Sequence, residues 1–166
     1  MKRAFSLVEL MMVIALLGIL AAIILPTFKG HVTEAKKATA KDNLRIYRSA
    51  IELYTAHHND PPGYLNGLIS TSSATFLAQL MYTTDQNGQL SGGSEVKTAT
   101  YPFGPYLKTV PENPFNNRNT ISVLGAGEDF PASATGQFGW VYQPQTKSMK
   151  LDWPGTDSED IPYFDY

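Results

Sequence analysis

The chain has 166 residues, a formal net charge of −2 and no cysteine. That length suits one ordinary domain, and the missing cysteines exclude disulfide scaffolds, thiolate zinc or iron–sulfur sites and a cysteine nucleophile. A near-neutral balance lacks the basic excess of a dedicated nucleic-acid binder, so no nucleic-acid partner is expected.

The averages hide a segregation. From Phe5 to Phe28, 19 of 24 residues are apolar and Glu9 is the only charge. Leu10 to Phe28 is a charge-free run of 19 residues, inside the roughly 17–25 that span hydrocarbon as a helix. A cleaved secretory signal, a single-span anchor and an assembly helix all fit such a run. A secretory apolar region is only about 7–15 residues long and ends at small residues. Here Ile23-Ile24-Leu25 carry the run past Ala21-Ala22. Lys2 and Arg3 flank one end, while Lys29, Lys36, Lys37, Lys41, Arg45 and Arg48 follow the other. The positive-inside rule taken alone therefore keeps the following residues in the cytoplasm.

Glu9 is the informative residue. An acid near the bilayer centre costs about 2.5–3.5 kcal/mol, so it either finds a partner or reaches the interface. A chain cut before Phe5 would carry a new ammonium four residues from Glu9. Between packed copies, one ammonium could then meet another chain's carboxylate, and paired buried charges are tolerable.

These residues resemble a known family. Lys2-Arg3-Ala4-Phe5-Ser6-Leu7-Val8-Glu9-Leu10 is similar to the class III leader of type IV pilins and type II secretion pseudopilins, with Ala4 where that family usually has Gly. The resemblance implies cleavage between Ala4 and Phe5 by a prepilin peptidase, methylation of the Phe5 amine, and assembly roles for Glu9 and for Pro26 as the helix-kinking proline. It also implies a single span of the bacterial inner membrane with a periplasmic head, against the simple charge rule.

Between Gly30 and Pro61 there is no Gly or Pro, which permits an uninterrupted helix. Ala40, Leu44, Tyr47, Ile51 and Tyr54 recur at spacings of three and four and mark one apolar face. With the membrane segment this helix covers about 54 residues, on the order of 80 Å, and Pro26 should kink or locally melt it. His57 and His58 point about 100° apart on a helix and cannot share a metal from regular geometry. They read as solvated imidazoles favourable to the helix C-terminus.

Beyond Pro61 the chain reads as short elements joined by turns. Ser72 or Ser73 caps a helix through Phe76, Leu77, Leu80 and Met81. Residues 120–124, 138–142 and 148–153 are suited to strands, the last two as a hairpin. Packed on the amphipathic helix they make a small α+β domain with an antiparallel sheet. Gly104-Pro105-Tyr106-Leu107 with Pro111 and Asn113-Pro114 is similar to a stretch of major, G-type pseudopilins.

There is no nucleophile elbow and no Walker loop, so no enzymatic activity is expected. Acids cluster near the C-terminus at Asp152, Asp157, Glu159, Asp160 and Asp165. Gly155-Thr156-Asp157-Ser158-Glu159-Asp160-Ile161 resembles the Gly-x-Asp-x-Asp-Ile ending of major pseudopilins, which implies a calcium ion (Ca2+) held through Asp157 and Asp160. The residues alone also read as a solvated acidic tail, since the EF-hand spacing is absent.

The expected organisation is a leader (1–4), a membrane and assembly helix (5–28), an amphipathic half of the spine helix (29–60) and a pilin-like α+β head (61–166). The expected role is a subunit of a type II secretion pseudopilus, a homopolymer working with minor pseudopilins and an inner-membrane secretion platform. A type IV pilin, or an anchored binding module that never polymerises, are the alternatives.

Overall fold

A computed structural model describes residues 6–166, with the side chains of residues 23–30 outside the described set. The elements in chain order are α1 (Leu7–His57), β1 (Tyr64–Leu65), β2 (Leu68–Ile69), α2 (Ser73–Met81), β3 (Ile121–Val123), β4 (Trp140–Gln143), β5 (Ser148–Leu151) and a closing 3₁₀ turn (Tyr163–Asp165). The architecture is α+β and pilin-like, a long N-terminal helix followed by small sheets. Two compact units divide the chain, Met1–Ala38 and Thr39–Tyr166.

In the first unit Ser6 starts α1. Its Oγ accepts from the Val8 amide at 3.2 Å, satisfying one of the amides a helix start leaves open. Position 26 is helical. The side chain of Pro26, and with it the expected kink, lies outside the described residues.

In the second unit the apolar stripe does what its spacing implies. Ala40, Leu44, Tyr47, Ile51 and Tyr54 are all buried, in one cluster with Phe76 and Leu80 of α2 and Trp140, Tyr142, Met149 and Leu151 of the sheet. Ser72 is the α2 cap, accepting from the Thr75 amide at 3.4 Å. The β1–β2 hairpin turns through Asn66 and Gly67 at φ 54° and 74°, a two-residue turn needing positive φ at both centres.

The sheet order is β3-β4-β5. The expected hairpin is present, antiparallel, with Trp140 opposite Leu151 and Gln143 opposite Ser148. β3 instead pairs parallel to β4, with Ile121 opposite Trp140, so this sheet is mixed. Residues 124–139 between them are long enough for the crossover that a parallel pair requires.

The stretch after α2 straps helix to sheet. Tyr47 of α1 and Trp140 of β4 both donate to the Pro111 carbonyl, at 3.3 and 3.0 Å. Asn43 Nδ2 donates to the Glu112 carbonyl at 2.8 Å. Buried Asn113 donates to the Gly139 carbonyl at 3.1 Å and accepts from the Phe115 amide at 2.9 Å. Gly139 must be glycine, since a Cβ there would stand 2.2 Å from the Arg118 carbonyl oxygen.

Candidate assembly helix and terminal loop

Ala4 and Phe5, the residues of the expected cleavage and methylation, lie outside the described residues. Glu9 is described. It sits exposed in the first turn of α1, three residues after the Ser6 cap. Ser6 and Glu9 therefore hold the two positions of a capping box, in which a Glu at the third helical position favours the helix start. A carboxylate also complements the helix dipole there. The Ser-x-x-Glu spacing was in the sequence as a signal for this local role, beside the expected assembly role.

Around Glu9 the helix is apolar on every side. Leu7, Val8, Leu10, Met11, Met12, Val13, Ile14, Leu16, Leu17, Ile19 and Leu20 are all exposed, from 43 to 74%. A helix apolar all round is one that lipid or other helices cover. Among the described residues no helix is long and apolar enough to cross a membrane. The described side chains break off at Ala22, before the apolar run Leu10–Phe28 ends.

At the other end of the chain the structure disperses the acids. Asp152 is fully buried, and its carboxylate accepts from the Thr135, Gly136 and Phe138 amides and the Thr135 hydroxyl at 2.6–3.0 Å. It organises the loop leading into β4. Asp165 pairs with Lys150 at 3.1 Å. Asp157 is buried, its Oδ1 accepting from the Glu159 and Ile161 amides at 2.8 and 3.1 Å and its Oδ2 from the Tyr166 hydroxyl at 2.7 Å. Asp160 joins Asp157 through the backbone, its amide donating to the Asp157 carbonyl at 3.1 Å, while its side chain is exposed.

This arrangement does not fit a calcium ion. Calcium takes six to eight oxygens, several of them carboxylate. Here Asp152 and Asp165 are committed elsewhere, Asp157 spends Oδ1 on its own loop and Oδ2 on the Tyr166 hydroxyl, and of the two expected ligands only Asp160 has an exposed side chain. Among the described residues no three His, Asp or Glu side chains are grouped to hold a metal.

Of the two histidines His57 and His58, one differs from expectation. His57 is exposed, its Nδ1 3.0 Å from the Tyr106 hydroxyl. His58 is buried rather than solvated, stacked on Tyr54 with centroids 3.7 Å apart. Its Nδ1 donates to the Tyr54 carbonyl and its Nε2 meets the Thr84 hydroxyl, both at 2.8 Å. Burial pulls its pKa below the ordinary value, with His57 adding to the fall and the Tyr54 carbonyl and Asp85 opposing it. His58 thus satisfies a last-turn carbonyl, as its place at the helix end suggests, but as a neutral core group. Burial also raises the Tyr106 hydroxyl to about 12.

Residues 1–25 match the family model for the prokaryotic N-terminal methylation motif. The type II secretion system core protein G of Klebsiella pneumoniae is 25% identical over 140 residues, covering 84% of this chain and 80% of that protein. The core protein G of Aeromonas hydrophila is 25% identical over 160 residues, covering 96% and 90%. A fimbrial protein of Neisseria meningitidis is 36% identical over only 63 residues, covering 38% of this chain and 37% of its own. No solved structure matches significantly. The N-terminal motif, the near-full-length similarity and the pilin-like fold agree in making the chain similar to type IV pilins and type II secretion pseudopilins.

Proposed function

We propose that the chain is a major pseudopilin, the main structural subunit of a type II secretion pseudopilus, and that it supports protein export without catalysing a reaction. The observation that carries this reading is the reach of the similarity. Core protein G relatives align over 84 and 96% of the chain, head included, whereas the fimbrial alignment covers 38%.

In this reading residues 1–4 are a leader, removed by prepilin peptidase before Phe5 is methylated. Residues 5–28 then hold the subunit in the bacterial inner membrane as a single span, with the head in the periplasm. A helix apolar on every side is stable in lipid, and equally stable among copies of itself. Subunits pass from the first environment to the second when they polymerise, through heterologous contacts that do not close and so generate a helical filament. Glu9 sets the register by meeting a neighbour's terminal amine, and Pro26 lets the helix bend along the bundle. Minor pseudopilins and an inner-membrane platform are the implied partners.

Three of the basic residues after the span, Lys41, Arg45 and Arg48, agree with a periplasmic head once their surroundings are known. Arg48 donates to the Met149 and Tyr166 carbonyls, and Lys41 lies over the Tyr166 ring at 4.2 Å. They belong to a folded unit, Thr39–Tyr166, and the charge rule binds short loops, not whole domains.

Deleting the gene tests the role. The expected result is loss of protein export across the outer membrane with surface pili intact. Loss of surface pili with export unaffected would assign the chain to a type IV pilus instead.

A further inference from the structure

The terminal loop is closed from within. The Asp157 amide donates to the Ile161 carbonyl at 2.9 Å, and the Asp157 carboxylate accepts two amides of the same loop and the Tyr166 hydroxyl. Tyr166 in turn is held on three further sides. Its ring meets Tyr163 edge-on with centroids 5.5 Å apart, Lys41 of α1 sits 4.2 Å above it, and Arg48 of α1 donates to its carbonyl.

We propose that Tyr166 is a protein-built clasp that does the work of a metal ion here: its hydroxyl occupies Oδ2 of the Asp157 carboxylate and it fastens the closed loop to α1, so the head is ordered without calcium. The chemistry supports the substitution. Oδ1 already accepts two amide hydrogens and has no lone pair left to offer a cation. Oδ2 accepts from the Tyr166 hydroxyl at 2.7 Å, a charge-assisted bond that a cation at that lone pair would have to replace. A divalent cation would have to displace Tyr166 and recruit five or more further oxygens, while the flanking acids Asp152 and Asp165 are engaged with other parts of the head and the side chain of Asp160 points to solvent. The segment Pro162–Tyr166 therefore supplies what an ion would otherwise supply, a link between the loop carboxylate and the rest of the head. This holds for the head alone and does not depend on polymerisation.

Thermal unfolding of the full chain in detergent, followed by the fluorescence of Trp140 and Trp153, tests it. Both tryptophans lie in the Thr39–Tyr166 unit, so the signal reads the head. The midpoint is expected to agree within about 2 °C between excess EDTA and millimolar calcium, while Tyr166→Phe, which keeps the ring over Lys41 and removes only the hydroxyl, lowers it by about 3–8 °C in both. Calorimetric titration of the wild-type chain with calcium should show no saturable binding, a result that stands even if the variant fails to fold. A wild-type midpoint that rises more than about 5 °C with calcium, saturable calcium binding, or a Tyr166→Phe chain that melts with wild type would overturn the proposal.

Discussion

Tyr47 and Trp140 meet edge-on with ring centroids 5.4 Å apart, and both donate a hydrogen bond to the one carbonyl of Pro111. One ring comes from the spine helix and the other from the central strand. The head is thus pinned to its helix by a strap that neither element could hold alone. Tyr47→Phe removes one donor and keeps the ring contact, so it should cost about 1 kcal/mol. Tyr47→Ala also empties the core beneath the strap and should cost about 3–5 kcal/mol. Urea unfolding followed by tryptophan fluorescence separates the two, and equal losses would show that the strap hydrogen bond, not the ring, carries the contact.

Gly139 makes a sharper demand. Because an added Cβ would lie 2.2 Å from the Arg118 carbonyl oxygen, Gly139→Ala must push apart the backbones entering β3 and β4. A loss of about 3 kcal/mol or more is expected, among the large effects for a single methyl. A variant melting within a degree of wild type would mean that the two backbones yield freely.

His58 makes the head sensitive to acid. Its folded pKa is lowered, chiefly by burial, so the unfolded chain binds a proton at higher pH than the folded one. The stability it confers is therefore complete above the unfolded pKa, about 6.5, and drains away as pH falls from there through the lower folded value. His58→Gln should melt lower than wild type at pH 8 and lose less between pH 7 and 5. Parallel slopes for the two chains over that interval would place the acid sensitivity elsewhere.

Glu9 holds a cap position and has a proposed assembly role, and substitution can part the two. Gln serves in a capping box as Glu does, so Glu9→Gln preserves the helix start and removes only the charge. If register depends on a neighbour's amine, Glu9→Gln and Glu9→Ala both insert in the membrane and both fail to form filaments. Filaments from Glu9→Gln but not from Glu9→Ala, seen by electron microscopy, would make the residue a cap and nothing more.

Much of the fold was legible because long helices announce themselves locally. The buried face of α1 could be named from five residues at spacings of three and four, and the cap narrowed to Ser72 or Ser73 from their place before Phe76 and Leu80. The β1–β2 hairpin went unread although Asn66-Gly67 is a strong turn signal, because its strands are only two residues each and offer no alternation. The parallel entry of β3 was not legible at all, since strand direction is set by where residues 124–139 travel and not by the strand's own residues. In the terminal loop the acids were visible, but their partners were not. The amides that fill Asp152 and Asp157 belong to backbone, which sequence does not display, and Tyr166 reaches Asp157 only because the 3₁₀ turn folds it back. His58 was misread for the same reason, since Thr84 closes over it from 26 residues away.

In the proposed function the apolar helix is a processed assembly element and not a simple anchor. Mass spectrometry of the chain purified from its own membranes tests this most directly. The expected result is a mature N-terminus at Phe5, with Met1–Ala4 lost and one methyl group added to the new amine. A chain that retains Met1 and carries no N-terminal methyl would contradict it.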